Sequence, residues 1–198
     1  MNTISDEALM LDFQRGSREA FEELFARYRG ALHGFFRRRL ENAARAEELV
    51  QETFLAVIRA VSRYQPRAQV RTYLYGIALK LLAAERRKAA RNGPSLEVIP
   101  ELAGGSSQEL SLWLREGLKK LEDSEREILM LREYEQLSYV EIAELLRVPV
   151  NTVRSRLFRA RLALKNCLDP QPALRGLITG ESTGQKKPEN DRRANETQ

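Results

Sequence analysis

Cysteine and histidine are nearly missing: Cys167 and His33 are the only ones in 198 residues. One cysteine excludes an internal disulfide and any multi-cysteine metal site. One histidine removes most zinc, triad and imidazole acid–base chemistry. There is no glycine-rich phosphate loop and no carboxylate pair in a recognisable setting. The sequence therefore predicts no enzyme, no cofactor and no metal. His33 reads as a helix-surface or core-edge residue and Cys167 as a helix-end residue. No apolar run approaches the ~20 residues of a membrane span. The opening MNTISDEALM is acidic where a secretory leader is basic and then apolar, which predicts a soluble, cytoplasmic protein.

Proline and glycine are also sparse, at seven and eleven, and they cluster. The stretches between them carry helix-period apolar spacing and no alternating β-branched run, so the chain reads as all-α. Hydrophobic residues make up 42%, enough for a core, and charged residues 31%. The net charge of +5 suits a nucleic-acid partner without proving one.

Four helices are predicted in the first half. One follows Ser5 and stops at Gly16. Ser17 caps the next, with Ala20, Phe21, Leu24, Phe25 and Tyr28 on its buried side. A third runs from about Ala44 to Ser62, with Val50, Phe54, Val57 and Val61 as an apolar stripe. After a loop at 64–70, a fourth runs from about Val70 to Arg91 around Leu74, Ile77, Ala78 and Leu81. Residues 92–107 hold three glycines, two prolines and three serines, a linker composition. Helical spacing resumes at Leu110, Leu114 and Leu118. Ser124 with Glu127, and Ser138 with Glu141, read as capping boxes opening two short helices, and Asn151 as the cap of a third. Beyond Asp169 the periodicity is lost, and the tail reads as mostly disordered. The domains are thus 1–91, a linker at 92–107, 108–168, and a tail at 169–198.

Residues 138–166 have the helix-turn-helix pattern. Ile142, Leu145 and Leu146 form one apolar side, Arg147–Val150 makes a turn that Pro149 ends, and Val153, Leu157, Ala160 and Leu164 form the next stripe. Leu145 to Leu168 holds six basic residues and no acidic one. At ~100° per residue, Arg154, Ser155, Phe158 and Arg159 point away from the stripe. Arginine can grip guanine O6 and N7 together, while other cations hold phosphates.

In AEELVQETFLAVIRAV (46–61), Glu47, Glu48, Gln51, Glu52 and Leu55 share the outer side. By itself this is a solvated face or a docking face for a helical or basic partner. Next come interleaved cations and aromatics: Arg63, Tyr64, Arg67, Arg71, Tyr73, Tyr75, Lys80, Arg86, Arg87, Lys88 and Arg91. Cations hold a phosphate backbone and aromatics stack on unstacked bases. Tyr73 and Tyr75 read equally well as core-edge residues.

Together, AEELVQETFLAVIRAVSRY, VRTYLYGIALKLLAAERRK and TVRSRLFRAR resemble bacterial sigma factors, specifically the small extracytoplasmic-function group of the sigma-70 family. The resemblance covers about residues 14–167. It implies an N-terminal region 2 domain and a C-terminal region 4 domain that together bind core RNA polymerase and select promoters. Glu48, Leu49, Gln51, Glu52 and Phe54 then fall in the segment that docks on the β′ clamp helices; the β flap is a further polymerase surface it implies. Residues 64–73 match the loop that captures an unstacked base of the −10 element. Arg63, Tyr64, Arg67, Arg71, Tyr73, Lys80, Arg86 and Arg87 are the −10 candidates. Thr152, Arg154, Ser155, Arg156, Phe158 and Arg159 are the −35 candidates. The linker would thread toward the RNA exit channel, and an anti-sigma factor is the further partner implied. Tyr73, Lys80 and Ala84 stand where the family often has tryptophan, asparagine and aspartate. Lysine cannot accept a hydrogen bond from a base edge as asparagine can. The rival reading is a helix-turn-helix regulator with residues 1–91 as a sensing or dimerising module, which predicts tight, palindromic binding by the free protein.

Overall fold

The computed structural model describes residues 4–40, 42–91, 114 and 116–168. The linker at 92–107, Leu110 and the tail beyond Asp169 lie outside them. The described residues form helices and no strand. Four helices build the N-terminal half: α1 (Asp6–Gln14), α2 (Arg18–Arg37), α3 (Ala43–Ala60) and α4 (Val70–Arg91), with a 3-10 turn at Val61–Arg63. In the C-terminal half, the described residues 114 and 116–119 are helical, and α5 (Asp123–Glu133), α6 (Tyr139–Leu146) and α7 (Val150–Leu168) follow.

Local chemistry sets the helix ends. Ser5 Oγ accepts from the Ala8 amide and Ser17 Oγ from the Ala20 amide, each at 3.2 Å. Between them Gly16 takes φ +103°. The Gly16 amide donates to Phe13 O and the Ser17 amide to Asp12 O, closing α1 with a left-handed cap. A second left-handed cap, at Arg147 with φ 55°, ends α6.

The N-terminal core is aromatic and aliphatic. Met10, Leu32, Phe35, Phe36, Val70 and Ala78 are fully buried. Phe25 and Phe54 meet at 4.7 Å between ring centres. On α4 the buried stripe is Leu74, Tyr75, Ala78 and Leu82, with Ile77 and Leu81 half-buried beside it. The stripe ends at Leu82, one residue later than the expected Leu81. Tyr75 is a core residue, and its hydroxyl donates to Glu135 at 3.1 Å.

In the C-terminal half, Ile128 and Leu131 of α5, Leu137, Ile142 of α6, and Val153, Leu157 and Ala160 of α7 form one core. Here two expected caps differ. The helix expected to start at Ser124 begins at Asp123, because Glu122 O already accepts from the Glu125 and Arg126 amides at 2.9 Å. Asn151 lies inside the first turn of α7, because Pro149 O accepts from the Thr152 and Val153 amides. The Ser138–Glu141 capping box forms as expected.

Candidate nucleic-acid and polymerase interfaces

The loop at 64–69 is pinned at both ends by α1. Gln14 Nε2 donates to Val61 O at 2.8 Å and to Tyr64 O at 3.0 Å. At the far end Glu7 accepts from the Val70 amide at 3.2 Å, serving an orphan donor at the start of α4. Tyr64 is therefore held in place and buried, with its ring 5.4 Å from that of Tyr73. Burial, with Glu7 and Tyr73 adding to it, pushes the Tyr64 phenol above its ordinary pKa.

Beside this loop runs a groove of about 670 Å³ between α4 and the α6–α7 turn. Tyr64, Arg67, Tyr73, Lys80 and Arg86 line it, with Leu145 and Arg147 on the opposite side. Thr72, which the sequence did not single out, also lines it. The hydroxyls of Tyr64 and Thr72 are buried with no hydrogen-bond partner among the described residues. Arg63, Arg67, Lys80, Arg86 and Arg87 are exposed. Arg71 is not free: its guanidinium holds both oxygens of Glu141, the shorter contact 2.7 Å. Burial opposes the charged form of Glu141, but the Ser138 amide and hydroxyl and Arg71 outweigh it, holding the carboxyl below its usual range.

Arg71–Glu141 is one of several ion pairs joining the two halves. Arg38 and Arg39 both reach Glu135, at 2.9 and 3.2 Å, and Arg39 also reaches Glu127 at 2.9 Å. The Arg39 and Glu135 side chains are only 3% and 2% exposed. Arg39 further stacks 3.9 Å over the Phe35 ring.

On α3 the outer face divides. Glu48, Gln51, Leu55 and Ile58 are exposed at a spacing of three, four and three, one stripe along the helix. Leu55 and Ile58 are 47% and 44% exposed, unusual for such large apolar groups. Arg45, at the head of the stripe, binds Glu48 and Glu52 at 2.8 Å each and also Glu85. Leu49 and Phe54, expected among the docking residues, are 1% and 4% exposed and belong to the core. The motif is contiguous in sequence, so it runs round the whole helix and includes both faces. Ile58 and Arg45 were not singled out; the three-four-three spacing from Glu48 was the signal that could have found Ile58.

On α7, Arg154, Ser155, Phe158 and Arg159 are exposed, while Thr152 and Arg156 are half-buried. Phe158 is 67% exposed. Arg159 Nε donates to Glu125 at 2.7 Å. His33 is half-exposed on α2, with Nε2 3.8 Å from Glu47. No group of residues suited to holding a metal ion occurs among the described residues. No described helix is long and apolar enough to cross a membrane.

Residues 24–92 match the family Sigma-70 region 2, and residues 111–164 match Sigma-70, region 4. The RNA polymerase sigma-H factor of Pseudomonas aeruginosa is 31% identical over 182 residues, covering 83% of this chain and 94% of that protein. The ECF RNA polymerase sigma-E factor of Escherichia coli is 32% identical over 184 residues, covering 84% of this chain and 96% of that one. CnrH, solved in complex with the cytosolic domain of CnrY, shares the fold with a TM-score of 0.63 at 27% identity, covering 83% of this chain and 97% of that chain. RpoE of Bartonella quintana, solved with the anti-sigma factor NepR, shares the fold at TM-score 0.62 and 22% identity, covering 76% of this chain and 98% of that chain. With both regions matched in order and relatives this similar along nearly their whole length, the chain belongs to the extracytoplasmic-function group of the sigma-70 family.

Proposed function

We propose that the chain acts in the cytoplasm by binding core RNA polymerase and directing it to promoters, without catalysing a bond change itself. The observation that carries this is the exposed Glu48–Gln51–Leu55–Ile58 stripe on α3. An apolar pair flanked by an amide and a carboxylate suits a helical partner surface such as the β′ clamp helices, and nothing among the described residues covers it. The β flap is the polymerase surface proposed for the C-terminal half.

Promoter contact divides by chemistry. Arg154, Ser155, Phe158 and Arg159 are the proposed −35 readers. Their exposure on the acid-free helix of a helix-turn-helix supports this. Thr152 and Arg156 are proposed to hold phosphates. Opening the −10 element requires unstacking, at a cost of a few kcal/mol per step. The groove beside the 64–69 loop offers the half-buried Tyr73 ring to an extruded base, and two unpartnered hydroxyls, of Tyr64 and Thr72, lie buried in its wall. Arg63, Arg67, Lys80, Arg86 and Arg87 would hold the strands around it. Arg71 joins them once it leaves Glu141. The proposed domains are 1–91 and 108–168, joined by a linker at 92–107.

With the halves packed together, α6 faces the groove, so the proposed −10 surface works only after they separate. An anti-sigma factor is the proposed partner that favours the closed form, supported by the neighbours CnrH and RpoE having been solved in complexes with CnrY and NepR. Run-off transcription tests the reading. Core polymerase with this chain should initiate at an asymmetric two-element promoter drawn from a randomised library, and core alone should not. Equal products with and without the chain would refute it.

A further inference from the structure

Among the arginines of α7, Arg159 differs in its partner. Arg154 touches the exposed Asn151 side chain at 3.3 Å. Arg161 pairs with Glu133 where both are about half exposed, a pair that water screens. Arg159 instead donates through Nε to Glu125, 2.7 Å away, whose side chain is only 10% exposed. Glu125 sits in the first turn of α5, and among the described residues its carboxylate has no other hydrogen-bond donor. A carboxylate so far removed from water needs a cationic partner, so the pair holds in both directions.

The guanidinium is flat, and fixing Nε fixes the plane of the whole group. The terminal Nη1 and Nη2 are left available as a fork. Arg159 remains 59% exposed, and its two terminal nitrogens carry no hydrogen bond among the described residues. Two parallel donors are what guanine O6 and N7 require. Ser155, one turn earlier on the same face, is exposed beside it.

We propose that Glu125 is a positioning residue for promoter recognition: it clamps Arg159 through Nε and presents the terminal fork to one guanine of the −35 element. This rests on the reading of α7 as the −35 helix and goes beyond it, because Glu125 lies outside the helix-turn-helix and touches no base. Ordering a long side chain ordinarily costs entropy at the moment of binding. Here that ordering is already present in the free protein, so it adds to discrimination as well as to affinity.

The test uses holoenzyme assembled from the full chain and core polymerase, with transcription read from promoters varied at every −35 position. Arg159→Ala should flatten the preference for guanine at one position. Glu125→Leu should lower discrimination at that same position by about tenfold, with the other positions within about twofold. The double variant should lose no more than Arg159→Ala alone. Glu125→Gln, whose amide oxygen still accepts from Nε, should restore much of the preference. Glu125→Asp, too short to reach, should not, and this pair decides the matter if the leucine variant does not fold. Discrimination that is unchanged or sharper in the Glu125 variants, or loss spread evenly over all positions, overturns the proposal alone. If Arg159→Ala flattens no position, the −35 reading of Arg159 falls and the proposal falls with it.

Discussion

Arg154 and Arg87 are both exposed cations, yet different consequences are expected of them. Arg154 opens the outward face of α7, where a bidentate base contact is worth about 1–3 kcal/mol. Arg154→Ala should therefore lower open-complex formation most at one −35 base pair and relax the preference there. Arg87 closes α4 as one of a run of cations. Arg87→Ala should weaken all promoters alike and reduce the salt slope of binding by about one. Filter binding of holoenzyme to a promoter panel at several salt concentrations separates the two. Exposure and charge of this kind were legible from helical spacing alone. The inward turn of Phe54 was legible too, from its place in the Val50–Phe54–Val57 stripe; that of Leu49 was not, because the docking motif is contiguous and Leu49 lies outside that spacing. Nor was the Glu125–Arg159 pair, whose partners are 34 residues apart and follow no periodic pattern.

Helices and their order were legible because caps, glycines and apolar stripes agreed with one another. Where a single cap was the signal, the boundary slipped. Ser124 and Asn151 are good capping residues, but backbone carbonyls two positions earlier had already accepted the first amides. The box at Ser138 formed because it has both halves: Ser138 Oγ accepts from the Glu141 amide at 3.2 Å, and Glu141 accepts from the Ser138 amide at 2.8 Å. Ser138→Ala should cost about 1 kcal/mol in urea unfolding, while Asn151→Ala should leave stability nearly unchanged. Gly16→Ala should cost about 1–2 kcal/mol. A Cβ there meets nothing within 4 Å, so the whole cost lies in the backbone at φ +103°. A Ser138→Ala variant as stable as the wild type would show that the box contributes nothing at this helix start.

At the scale of the whole molecule, two domains were legible from the composition change at 92–107, but how they meet was not. Arg38, Arg39 and Arg71 find Glu135, Glu127 and Glu141 across 70 to 97 residues of chain. Removing one member of a buried pair leaves a stranded charge, at about 3–5 kcal/mol. Separating the halves lets water reach that charge instead. Glu135→Ala should therefore raise the radius of gyration in small-angle scattering with helix content unchanged; an unchanged radius would mean that apolar contact alone holds the halves. The junction also carries a pH dependence. Glu141 is held below its ordinary pKa of 4.5. It contributes stability that is fully present above that value and lost as the pH falls through the lower folded value. Scattering should show a compact chain at neutral pH that loosens only in the acid range below 4.5.

The role proposed for the outer side of α3 is that of a polymerase-docking face. The most direct measurement is co-elution of the purified chain with bacterial core RNA polymerase, beside a Glu48→Ala, Gln51→Ala double variant. Both residues are exposed, so the variant should fold as the wild type does. The wild type should co-elute with core and the variant much less. Failure of the wild type to co-elute, together with tight binding of the free chain to a palindromic duplex, would contradict the account and make the protein a helix-turn-helix regulator that works without core polymerase.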